Sequence, residues 1–210
     1  MFCKSDQSQS DTYDSLVFAS HNIKGAIIPS NIKRICSNAF SNCSELELIE
    51  SHAFSYSNIE SIKIPQKVKQ LGSGCFYDCQ KLKTAKFSEN SELEIIKEIF
   101  FADSAIEEIS IPSKVVSIGC SCFYNCRFFK SIEFHKNCEL KLINQKLFNS
   151  STNTKILIPK NVEILDNSSF EFTSSLKTVE FENNSKITTL KNNSFTFSSI
   201  EYLNVQSKLK

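Results

Sequence analysis

Apolar residues recur along this chain on a fixed schedule. Phe54, Phe101, Phe148 and Phe195 stand 47 residues apart, and Phe76, Phe123 and Phe170 form a second series with the same spacing. Interleaved, the two series step by 22 and 25 residues in alternation. Self-similarity with a period of about 23 residues predicts a solenoid, in which each coil stacks on a copy of itself.

The polar and apolar positions between the phenylalanines divide each 47-residue unit into two halves. The shorter half reads Phe54, Ile59, Ile62, Ile64, Pro65, Val68 and Leu71. Its copies begin at Phe101 and Phe148, with Asn153 as the one break in the apolar pattern. A copy from Phe195 supplies Ile200, Leu203 and Val205, and one upstream starts at Phe18 and leads to Phe40. The longer half reads Phe76, Cys79, Leu82, Ala85, Phe87, Leu93 and Ile96, with copies at Phe123 and Phe170. In each half two apolar residues are separated by one, which puts both on the same face of a strand. Proline directly after the shorter half's strand ends pairing and turns the chain. Apolar spacing of three on the return path predicts a loose or 3₁₀-like segment. The phenylalanines are expected to form an internal column.

Ile28-Pro29 through Ala39-Phe40-Ser41-Asn42-Cys43 and Ile111-Pro112 through Cys122-Phe123-Tyr124-Asn125-Cys126 carry a recognisable unit. The unit resembles the IP-x-x-V-x-x-I-x-x-x-A-F-x-x-C-x-x-L repeat of the BspA-like leucine-rich repeats, over roughly residues 18–205. The resemblance implies a curved leucine-rich-repeat solenoid in the α/β class, mostly β. It would have one short parallel strand per turn, an irregular or 3₁₀ convex side and little regular helix. Members of that family resemble surface antigens of bacteria and parasitic protists, so the resemblance also implies adhesion and protein binding at the cell surface or outside the cell.

The expected organisation is a polar segment over 1–17, a solenoid of about eight to nine turns over 18–205, and a tail over 206–210. Phe40 and Phe54 are 14 residues apart where the pattern requires 25, so one turn near 41–53 lacks eleven residues and should be incomplete. The array stops without a polar terminal repeat. Solenoid ends need caps for solubility, which predicts self-association through the C-terminal end or a longer chain.

Composition narrows the function. Apolar residues make up 40% and charged residues 22%, enough to bury a core. Net charge is +1 with the basic residues dispersed, which argues against a nucleic-acid or membrane-surface partner. No apolar run approaches the roughly 18 residues of a membrane span. Residues 1–15 are polar and lack a secretory pattern, which by itself points to the cytoplasm.

Nine cysteines raise the question of metal or thiol chemistry. Cys43, Cys79 and Cys126 share one repeat position, and Cys75 and Cys122 share another, as packed free thiols would. None has zinc-ligand spacing, and stacked disulfides would require export. His21, His52 and His135 fall at unrelated positions, and no nucleophile, phosphate-loop or dinucleotide motif is present. No enzyme, metal or cofactor is expected. The one catalytic alternative is a thiol enzyme using Cys120, Cys122 or Cys126. Asn42, Asn149, Asn167, Asn183 and Asn192 are sequons that could carry glycans on an exported chain.

The exposed face of the strands is the candidate binding surface for a protein ligand. Glu60, Lys83, Glu107, Lys130, Thr154, Lys177 and Glu201 form a column of mostly alternating charge, about 4.8 Å per rung. Such a ladder cancels repulsion and keeps the sheet soluble. Ile27, Leu157 and Tyr202 are the apolar exceptions, and Tyr202 is the best single anchor. Two functions follow: a non-catalytic surface-antigen module offering a concave sheet to a protein, or an intracellular leucine-rich-repeat scaffold.

Overall fold

A computed structural model describes residues 46–204, together with the backbone of four two-residue strands upstream. The deleted stretch expected near 41–53 lies partly outside the described residues. From Leu46 onward the chain is in repeat register.

Each coil carries two strands, one more than the spacing predicts. The broad sheet is built from Ser61–Ile64, Thr84–Phe87, Glu108–Ile111, Ser131–Phe134, Lys155–Ile158, Thr178–Phe181 and Tyr202–Asn204. The narrow sheet is built from Leu48–Ile49, Gln70–Leu71, Ile95–Ile96, Ser117–Ile118, Leu142–Ile143, Ile164–Leu165 and Thr189–Leu190. All pairings among these strands are parallel, and no helix occurs among the described residues. Alternation in the broad strands puts Ile62 and Ile64, or Ile109 and Ile111, inside, with the intervening residues outward.

The phenylalanines are the spine. Phe54, Phe76, Phe101, Phe123, Phe148, Phe170 and Phe195 stack in order, with centroids 4.9, 5.5, 5.6, 5.5, 5.1 and 5.4 Å apart. The first six are fully buried. Each such contact contributes about 0.5–1.5 kcal/mol beyond the area it buries.

A third wall of backbone bonds surrounds this column. Gly74, Phe76 and Asp78 donate their N–H groups to the carbonyls of Glu98, Phe100 and Ala102 in the next coil, at 2.9–3.0 Å. The intervening amides close turns within the coil, as Tyr77 N–H does to Gly74 O at 3.0 Å. To aim alternate amides at the neighbouring coil, the residues two before and two after each phenylalanine adopt left-handed backbone. These are His52 and Tyr56, Gly74 and Asp78, Ile99 and Asp103, Ser121 and Asn125, Lys146 and Ser150, Ser168 and Phe172, and Asn193 and Phe197. Such a conformation costs a non-glycine residue roughly 1–2 kcal/mol, and the inter-coil bonds offset it.

Proline decides how the broad sheet pairs. Ser88, His135 and Glu182 end the longer half's strands and donate to Ile64 O, Ile111 O and Ile158 O at 3.3, 3.0 and 3.0 Å. At the alternate interfaces the equivalent residues are Pro112 and Pro159, which have no N–H. There Glu108–Ile111 keeps a single register pair with the preceding strand, Glu108 with Thr84. No register joins Lys155–Ile158 to Ser131–Phe134. At the third such interface the sequence has Gln206 in place of proline, and three register pairs form, Thr178 with Tyr202 through Glu180 with Asn204.

Two substitutions test this geometry by chemical denaturation. A Cβ on Gly119 would lie 2.3 Å from Glu98 N, so Gly119→Ala is expected to cost about 2–3 kcal/mol. Lys146 is exposed at φ 55°, so Lys146→Gly is expected to raise stability by about 0.5–1 kcal/mol, the relieved strain exceeding glycine's entropy cost.

Candidate functional site

The broad sheet displays three outward columns. The first is the one anticipated from the sequence: Glu60, Lys83, Lys130, Thr154, Lys177 and Glu201 are exposed and Glu107 is half-buried. Lys130 Nζ pairs with Glu107 at 2.5 Å and Lys177 Nζ with Glu201 at 2.5 Å. The hydrogen bond from Lys130 holds the Glu107 carboxyl below the usual carboxylate range. No ion pair joins Lys83 to Glu60, and Thr154 interrupts the alternation. This column is therefore in part a self-neutralising ladder, each exposed pair contributing little.

The other two columns lie within the strands. Lys63, Lys86, Ser110, Glu133, Leu157, Glu180 and Asn204 form one, and Ser61, Thr84, Glu108, Ser131, Lys155, Thr178 and Tyr202 form the other. Of these only Leu157 and Tyr202 stand out from sequence. Period-two alternation against the buried isoleucines was the signal for the rest. Between the second and third broad strands these columns line a hollow of about 810 Å3, bordered by Lys86, Glu89, Glu108, Lys114, Glu133 and His135. It lies where the ladder stops after Glu108 and Thr84.

Leu157 is 44% exposed and Tyr202 is 52% exposed. They are two strands apart with Thr178–Phe181 between them, about 10 Å along the sheet. Lys155 and Glu180 pair across that interval at 2.9 Å. The two residues thus share one patch without touching; Leu203 is also exposed but points to the opposite, core-facing side of its strand, in register with buried Val179. Ile27 lies outside the described residues.

Among the described residues the cysteine columns are buried and unpaired; Cys43 lies outside them. Cys75, Cys79, Cys122 and Cys126 are free and buried, whereas Cys120 is free and exposed. Cys79 and Cys126 donate their thiols to Phe54 O and Phe101 O of the preceding coil, at 3.0 and 3.1 Å. At the same position Thr173 and Ser198 donate instead to the carbonyl of their own coil's Phe170 and Phe195, both at 2.6 Å. Burial pushes the Cys79 thiol up to about 11 and Cys126 up to about 12, and raises Cys75 and Cys122 well above the ordinary range. High values leave little thiolate, which is the wrong direction for a nucleophile. His135 accepts Asn137 N–H at 3.2 Å, and its neighbour Cys138 is buried with its thiol toward Val115 O at 3.8 Å. His52 lies against Ser55 at 3.1 Å. Among the described residues no group of three or more His, Cys, Asp or Glu could hold a metal ion, and no helix is long and apolar enough to cross a membrane.

The sequons separate by burial. Asn183 and Asn192 are exposed and Asn167 is half-buried. Asn149 is buried, and its Nδ2 donates to Glu171 at 3.1 Å. Asn149 therefore offers no free acceptor in the folded chain.

Two-stranded coils stacked on a phenylalanine column, with one sheet facing outward, define a leucine-rich-repeat solenoid. The chain belongs to the BspA-type leucine-rich repeat family, whose repeat region matches it in six copies over residues 11–104, 47–142 and 94–210. Solved structures share the fold. The pneumococcal vaccine antigen PcpA is 23% identical, over 92% of this chain and 56% of that one, with a TM-score of 0.57. A leucine-rich cell surface protein of Faecalibacterium prausnitzii is 20% identical, over 89% and 61%, with a TM-score of 0.52. A leucine-rich repeat protein of Eubacterium ventriosum is 19% identical, over 88% and 61%, with a TM-score of 0.58. The chain spans less than two thirds of each of these. No curated protein sequence matches it.

The thiols give two measurements. At pH 8 a chromogenic thiol reagent is expected to modify Cys120 quickly and Cys75, Cys79, Cys122 and Cys126 only after denaturant, read by peptide mapping. Because the buried thiols ionise above their ordinary value of 9.0, the unfolded chain gains thiolate first. Their stabilising effect is complete below pH 9 and is lost as pH rises toward 11 and beyond. The denaturation midpoint should hold steady up to about pH 9 and fall above it.

Proposed function

We propose that this chain is a non-catalytic protein-binding module of surface-antigen type that presents its broad sheet to a protein ligand. The observation that carries the reading is the patch of Leu157 and Tyr202, exposed on a sheet whose other outward positions are charged or polar. An exposed aromatic and aliphatic cluster with a polar surround is the composition of an interface anchor. Membership of the BspA-type family supports a binding role. The fold shared with PcpA, a vaccine antigen, and with the Faecalibacterium cell surface protein supports the surface setting.

A second reading, an intracellular scaffold on the same solenoid, is favoured by the unpaired cysteines, including exposed Cys120. The two readings part on where the native protein sits. A membrane-impermeant amine reagent applied to intact cells is expected to label Lys83 and Lys177, both exposed. Labelling that appears only after lysis sinks the surface reading and leaves the scaffold. With a captured protein ligand in hand, Tyr202→Ala should weaken binding roughly tenfold, in the range of an anchor residue. An unchanged affinity would move the site off this patch.

A further inference from the structure

Both sheets are interrupted at the same coil. The broad ladder pairs Glu108–Ile111 with Ser131–Phe134 residue for residue, and resumes between Lys155–Ile158 and Thr178–Phe181. The narrow ladder runs from Gly25–Ala26 to Ser117–Ile118 and resumes at Leu142–Ile143. The coil from Phe123 to Phe148 is therefore split: its broad strand is bonded to the coils before it, and its narrow strand to the coils after it.

Side chains fill the gap where backbone bonds are missing. Asn144 Nδ2 donates to Ile118 O at 2.7 Å, in the place where Gly119 N–H meets Ile96 O and Asp166 N–H meets Ile143 O. Thr152 Oγ1 donates to Phe129 O at 3.0 Å. No bond runs from Thr154 N–H to Lys130, although Lys130 and Ser131 N–H both reach Glu107 O, at 2.8 and 3.3 Å. Asn153 is fully buried where Ile59 and Ile106 stand in other coils. Its Oδ1 accepts Ser151 Oγ at 2.7 Å, and its Nδ2 has no partner. A buried amide donor left unmade costs about 1–3 kcal/mol. A side hollow of about 400 Å3 opens at the same seam, between Phe129, Lys130, Thr152 and Thr154.

Among the described residues the phenylalanine wall is the one set of backbone bonds that crosses the seam, beside the Phe129–Phe148 ring contact at 6.3 Å and the side-chain bond from Asn161 Nδ2 to Cys138 O at 3.0 Å. Ser121, Phe123 and Asn125 N–H donate to Gln145, Leu147 and Asn149 O at 3.1, 2.9 and 2.9 Å, and the Phe123 and Phe148 rings stack at 5.5 Å.

We propose that the wall between 121–125 and 145–149 is a hinge. About it, the coils up to Phe134 and the coils from Leu142 onward change their mutual angle as two stacks. The motion opens and closes the broad face between Glu133 and Leu157, which separates the charged hollow from the apolar patch. Packed stacks joined along one bonded edge rotate about that edge, because each stack keeps its own ladders while the seam has none to break. If the broad face binds protein as proposed above, the hinge lets both halves meet one ligand. The hinge itself does not depend on that reading.

Hydrogen exchange on the whole chain tests it. The amides of Thr154 and Lys155 are expected to exchange roughly tenfold or more faster than those of Lys130 and Ser131, with Phe123 and Phe148 protected alike. Bio-orthogonal spin labels at exposed Lys86 and Lys177, across the seam, should give a distance distribution roughly twice as wide as labels at Lys86 and Glu133 within one stack. Equal exchange of the two amide pairs, or equal widths, would overturn the hinge.

Discussion

Everything in this structure depends on one constraint: a coil of about 23 residues cannot bury its own apolar side. Each phenylalanine from Phe76 to Phe170 is covered by the phenylalanines of the coils on either side, and alternate wall amides are satisfied by carbonyls one coil away. Stability is then a sum over neighbouring interfaces. The left-handed residues flanking each phenylalanine are costs accepted to keep those interfaces in register. Cysteine and serine inside the column serve the same end, as Cys79 and Cys126 do by donating to the phenylalanine carbonyl behind them.

Departures from the repeat acquire meaning against that background. Proline withholds one donor at alternate interfaces, so the broad sheet closes fully only in pairs of strands. Between the pairs the face gains relief: a charged hollow beside Glu108 and a seam beside Asn153. The chemistry offered to a partner is thus uneven along a regular scaffold. Charges neutralise one another on several rungs, and the outward apolar side chains, Leu157 and Tyr202, stand two strands apart.

Much of this was legible in the residues. The phenylalanine interval identified the solenoid and its column, and the shared positions of the cysteines anticipated packed thiols. The charge ladder was legible as well, with Lys130 and Glu107 and then Lys177 and Glu201 forming the pairs. The second strand of each coil was not, because two residues such as Ser117 and Ile118 carry no periodicity of their own. Left-handed backbone at Ile99, Lys146 and Phe172 was hidden too, since none of these residue types favours it. Asn149 reads as a glycan acceptor until its burial against Glu171 is seen.

The sequence by itself determined the repeat, the spacing of its apolar columns and the odd residues within them, because these are local patterns copied along the chain. Tertiary structure alone decided what each oddity does. Whether proline opens a sheet depends on which carbonyl lies across from it. Whether Asn153 is a tolerated exception or the mark of a seam depends on two ladders stopping at the same coil. Those are relations between coils roughly 23 residues apart, and hydrogen bonds form between neighbours in space.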